Sequence, residues 1–251
     1  YRQRMKEYIV EAVNAGTGYS KAITTDLFKK AGLSTEGVAR LFAGANTQAV
    51  EACWARTKKG LYLSDRIWRQ RDKFNSVMRD IIQESVAVGQ DATKTARMIE
   101  QYVRQGKKTL AKDYPNMMKR MKGRIPGDIC YEALRLARTE MTAAFGEGTI
   151  SAAQVSPSYL GMKWILSNSH PIPDICDELA SHDEGLGKGV YAPGNEPPYP
   201  AHPNCLCILV PVHEQPEDFV QRLKRWKGNP GSEPNIETWY QNIYRQQGAM
   251  R

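Results

Sequence analysis

No apolar run in this 251-residue chain approaches the ~20 residues a helix needs to cross a bilayer, so no transmembrane helix is expected. The opening residues, YRQRMKEYIV, carry charges where a signal peptide would be apolar, and no such peptide is read there. HExxH, GxSxG and a glycine-rich phosphate loop are all missing, which removes several common hydrolase and nucleotide-binding readings. The 20 glycines and 14 prolines follow no period, and no internal repeat is present. Five cysteines is an odd number, so complete internal pairing is impossible. What is there is the composition of a folded protein: 41% hydrophobic residues, with 5 Trp, 12 Tyr and 5 Phe, is too apolar for a solvated coil.

The net charge of +8 hides an asymmetry. Residues 1–125 hold 25 Lys and Arg against 12 Asp and Glu; residues 126–251 hold 10 against 15. Between 170 and 218 there are nine acidic residues and one base, Lys188. A basic front half therefore precedes an acidic patch.

The first 155 residues read as successive amphipathic helices. Met5, Ile9, Ala12 and Val13 open the series, the stretch 16–19 (GTGY) is expected to break it, and a short helix over 20–31 stops at Gly32. Ser34 to Gly37 start the next helix, ended by Lys58-Lys59-Gly60. Ser64 caps a long helix to about Val88, and Asp91 caps the one after it. Residues 106–127, rich in Lys and Arg with two Pro and three Gly, read as a basic linker. A strong helix runs from Asp128 to Gln154. Strands are expected over 160–166 and 205–212, separated by a long ordered loop over 168–204. Helices follow from Pro216 to Trp226 and from Ile236 to Gln247.

All four histidines (170, 182, 202, 213) and three of the cysteines fall within 44 residues, while Cys53 and Cys130 lie far away. A loop of more than ~15 residues needs something to hold it. Cys176, Cys205 and Cys207 with one of His170, His182 and His202 meet the four-ligand count of a structural zinc site. Free thiols are the competing reading. The carboxylates Asp174, Asp177, Glu178, Asp183 and Glu184 allow a hydrolytic metal site, or simply a solvated acidic loop. Arg138 and Glu140, two apart on one helix, do not face each other, so each looks for an ion-pair partner elsewhere. Lys107, Lys108, Lys119, Arg120, Lys122 and Arg124 are the candidate contacts to DNA or a partner.

Three segments together resemble the Mu F-like family of phage minor capsid, or head morphogenesis, proteins. They are Pro200-Ala201-His202-Pro203-Asn204-Cys205-Leu206-Cys207, the helix Ala137-Arg138-Thr139-Glu140, and the helix start Leu63-Ser64-Asp65-Arg66-Ile67-Trp68. The first is similar to the family's HPNCRC signature, with Leu206 in place of the usual Arg. The likeness runs over roughly residues 60–212 and carries the family's Cys and His positions onto Cys176, His202, Cys205 and Cys207. It implies a non-enzymatic structural protein inside the capsid of a virion, made in the host bacterial cytoplasm. Such a protein acts in head assembly and DNA packaging or delivery. Its implied partners are portal, major capsid and scaffold proteins, with packaged DNA as a further contact.

The resulting expectation is a mainly helical α+β protein: a helical region over 1–105, the basic linker 106–127, an α+β domain over 128–215 with a short antiparallel sheet, and a helical extension over 216–251. One structural zinc is the cofactor to look for, with no membrane partner. A metal-dependent hydrolase and a basic nucleic-acid-binding module are the alternatives.

Overall fold

The computed structural model describes residues 2–60, 77, 81–82, 85, 90–102, 109–113, 115–121, 126–168, 170 and 173–246. The chain is a mainly helical α+β protein with one small antiparallel sheet. Of the long helix expected over 64–88, only positions 77, 81, 82 and 85 are described, and all four are helical. Part of the expected linker, 106–108, 114 and 122–125, also lies outside the described residues. Among the described residues, no helix is long and apolar enough to cross a membrane.

α1 (Arg2–Ala31) is continuous through the GTGY stretch expected to break it. A helical glycine costs about 1 kcal/mol, but Thr17 and Ser20 on either side of Gly18 are buried, and that packing wins. Gly32 then ends the helix in the left-handed conformation, with Leu33 N–H donating to Phe28 and Gly32 N–H to Lys29. These are the paired bonds of a Schellman cap. α2 (Glu36–Gly60) follows.

The chain forms two compact units. The first takes residues 1–12, 51–145 and 202–205. It contains α3 (Ala92–Ile99), α4 (Leu110–Asp113), α5 (Pro115–Met121) and α6 (Tyr131–Gln154) as far as Phe145. Asp91 caps α3 as expected, accepting from Thr93 N–H at 2.8 Å. Arg97 of α3 binds Asp128 at 2.6 Å, and Thr109 bridges Cys130. Ala133, Leu134, Leu136 and Ala137 give α6 its buried side. α4 and α5 occupy described parts of the stretch read as a linker.

The second unit takes 13–50, 146–201 and 206–251. Its strands are β1 (Tyr159–Ile165), β2 (Val190–Tyr191) and β3 (Ile208–His213), in the order β2-β1-β3. Met162 pairs with both Tyr191 and Pro211, and Ile165 with Ile208. The loop expected over 168–204 is thus not structureless: it holds β2 and α7 (Ile175–Ser181). The core of this unit joins Leu27, Phe28 and Ala31 of α1 to Val38, Leu41, Phe42 and Ala45 of α2. α8 (Pro216–Gly228) adds Phe219, Leu223 and Trp226, and α9 (Pro234–Trp239) adds Ile236 and Trp239. Trp239 Nε1–H donates to the Val155 carbonyl at 3.0 Å, so the last helix is tied to the end of α6.

Candidate metal centre

α7 exists because of an acidic capping box. Asp174 is its N-cap and accepts from Cys176 N–H at 2.7 Å, while Asp177 accepts from Asp174 N–H at 2.8 Å. The two carboxylates satisfy helix-end donors that would otherwise be orphaned. Cys176 therefore sits in the first turn, fully buried. Asp174→Ala should lower the stability of the second unit by about 1 kcal/mol, read as a shift in urea midpoint at unchanged slope; an unmoved midpoint would refute the cap.

His202 and Cys205 lie in the segment before β3. The Tyr199–Pro200 peptide bond is cis, and Asn204 holds a left-handed conformation at φ 63. Cys205 N–H donates to the His202 carbonyl at 3.2 Å, closing a turn. Asn204 N–H donates to Thr139 Oγ1 of α6 at 3.1 Å.

Cys176, His202 and Cys205 each place one ligand atom within 4.8 Å of the other two, a cluster that could hold a metal ion. Both cysteines are buried and the histidine is half-buried. The donor set fits zinc. Bonds of ~2.3 Å to sulfur and ~2.0 Å to nitrogen at tetrahedral angles put ligand atoms roughly 3.3–3.8 Å apart. The histidine is also oriented for ligation. Its Nδ1 lies 3.0 Å from the Pro203 carbonyl, which can only accept, so that contact holds when Nδ1 carries the proton, the tautomer that leaves Nε2 as the ligand nitrogen.

Cys207 does not join this group of ligand atoms. Cys205 and Cys207 both fall in the strand expected over 205–212, where residues two apart share a face. Strand β3 begins only at Ile208, although burial still alternates from Cys205 through exposed Leu206 to Cys207. Two residues along an extended chain advance ~6.6 Å, so a shared face is not a shared point. Cys207 is buried, and its carbonyl accepts the Tyr199 hydroxyl at 2.8 Å.

The alternate histidines are engaged elsewhere. His182 stacks on Tyr191 at 4.9 Å between ring centres, and its Nε2 lies 3.0 Å from Glu184. That contact holds the Glu184 carboxyl below its usual range. His170 lies 2.9 Å from Asp177. The Asp174 N–H first, and His170 second, depress the Asp177 carboxyl. His170, Asp174 and Asp177 also come within 4.8 Å of one another. The capping box and the His–Asp pair account for that grouping in full.

On α6, Arg138 and Glu140 are both half-buried, and burial lowers the Arg138 pKa. Lys119 is exposed on α5, which also contains Arg120; Lys107, Lys108, Lys122 and Arg124 lie outside the described residues. Tyr199 was not singled out in the sequence, Thr139 entered there only as part of the 137–140 segment, and nothing marks either as a brace for the 199–207 segment.

No family model, curated protein or solved structure matches the chain.

Proposed function

We propose that the chain is a minor structural protein of a bacteriophage head, residing inside the capsid and acting by contact rather than catalysis. The observation that carries this reading is the bond from Asn204 N–H to Thr139 Oγ1. It joins two of the segments on which the family resemblance rests, 65 residues apart in the chain. Portal, major capsid or scaffold proteins are the proposed partners. The basic residues of the first half suit packaged DNA or an acidic protein surface. The cluster of Cys176, His202 and Cys205 holds one structural zinc in this reading and keeps the 170–205 region folded.

Assembled particles should contain the chain at low copy number, and it should co-purify with portal or capsid protein. Its absence from purified particles would overturn the reading.

One observation favours a second reading. Among the described residues three protein ligands come together, which leaves a fourth position open as in hydrolytic zinc centres. Cys205→Ser separates the two. A structural zinc predicts loss of folding in the 170–205 region with no activity to lose, and a hydrolytic one predicts a folded protein without activity.

A further inference from the structure

The described second half of α1 is buried in two different ways. Leu27, Phe28 and Ala31 enter an apolar core, whereas Thr17, Ser20 and Thr24, earlier in the same helix, are buried as hydroxyl residues. Thr24 Oγ1 lies 2.9 Å from Ser156 Oγ, which lies 3.3 Å from Ser158 Oγ, which lies 2.9 Å from Nδ1 of His213 at the end of β3. Four side chains from α1, the turn after α6 and the last strand thus form one hydrogen-bonded chain. Tyr19 of α1 and Tyr159 of β1 flank the imidazole, with ring centres at 6.0 and 6.4 Å. Its other nitrogen, Nε2, is buried with no hydrogen-bond partner.

We propose that this chain is an acid-released latch: protonation of His213 frees the 17–24 segment of α1 from the sheet while 27–31 stays anchored. The neutral imidazole fits best with Nδ1 donating to Ser158, because Nε2 then carries only a lone pair, whereas the other tautomer already buries an Nε2–H with no acceptor. If Nδ1 accepts from Ser158, protonation turns it into a donor, and Ser158 and Ser156 must reverse. If Nδ1 already donates, the new proton falls on Nε2, which has nothing to receive it.

Among the described residues, no carboxylate compensates the charge. The groups placed around the ring are the Tyr19 and Tyr159 phenols, the latter donating to Glu196 at 2.8 Å, and Glu214, whose side chain is taken by Arg222 of α8 at 2.6 Å. Burial pushes the His213 pKa down to about 4 from its ordinary 6.5. The closed state is therefore fully favoured above about pH 6.5 and loses its advantage as the pH falls towards 4. Ser158 is itself buried, so the Ser–His pair is no nucleophile exposed to substrate. The latch lies wholly in the second unit and is independent of the virion reading and of the metal.

Hydrogen exchange on the full chain at pH 7.0 and 4.5, corrected for intrinsic rates, tests it. Opening of peptides covering 17–26 should rise about tenfold at pH 4.5, a value discounted for the ring's partial exposure. Peptides covering 27–33 should change little. His213→Gln keeps a hydrogen-bonding side chain without the titration and should abolish the difference. An equal rise in the variant, or no rise in the wild type, overturns the latch. If the variant does not fold, the wild-type ring decides by NMR titration: a midpoint near 4 supports the latch and one near 6.5 overturns it.

Discussion

Stripping metal from the full chain with a strong chelator is expected to lower its melting temperature by roughly 8–16 °C. A ligand held a thousandfold above its Kd stabilises the folded state by about 4 kcal/mol. Each kcal/mol moves the midpoint of a domain of this size class by about 2–4 °C. The protein as purified should carry close to one equivalent of zinc. Cys176→Ser and Cys205→Ser should lose the metal and melt at the chelated temperature whether or not zinc is added back. Cys207→Ser should keep the metal, because the Cys207 thiol stands outside the group formed by Cys176, His202 and Cys205. Affinity should fall with pH, since thiolates and a neutral imidazole must give up the metal to take protons. A protein with well under one equivalent of metal and an unchanged melting curve in chelator has no such site. Zinc loss in Cys207→Ser would mean that the fourth residue closes the shell after all.

What the sequence made legible follows from which forces act locally. The Asp91 cap, the Gly32 stop and the 3–4 spacing of Val38, Leu41, Phe42 and Ala45 are local signals, and each holds in the structure. The continuity of α1 is not local. Gly16 and Gly18 argue for a break, and only burial of Thr17, Ser20 and Thr24 by distant segments outweighs them. α7 could have been found. Asp174-x-x-Asp177 is the acidic form of a capping box, obscured by the prolines and glycines around it. Cys176, His202 and Cys205 could be read as candidate ligands from residue type and clustering. The exclusion of Cys207 could not, because Cys205 and Cys207 are buried on the same alternating side and only the placement of their thiols separates them. The hydroxyl chain to His213 was likewise out of reach, since Ser and Thr carry no periodic signature of burial.

A large single-site effect is expected in the second unit from one methyl group. On α6, Gly146 lies against the Tyr199 ring so closely that an added Cβ would overlap it. Tyr199 cannot simply swing aside. Its hydroxyl donates to the Cys207 carbonyl at 2.8 Å, and its ring meets Trp164 edge-on at 5.6 Å. Gly146→Ala should therefore cost about 3–5 kcal/mol, combining overpacking of about 1–3 with the loss of a buried hydrogen bond and an aromatic contact of about 1 each. The same methyl should change sign once the ring is gone. Tyr199→Ala alone removes a large buried side chain and is destabilising by about 3–5 kcal/mol, the range for truncating a buried aromatic. In that background Gly146→Ala meets no steric obstacle and recovers the helix preference of alanine over glycine, about 0.5–1 kcal/mol of stabilisation. A double-mutant cycle on urea midpoints should then show a coupling of about 3.5–6 kcal/mol between positions 53 residues apart. Additive effects would mean that Tyr199 does not rest on Gly146, and that the brace on Cys207 and the segment carrying His202 and Cys205 is misassigned.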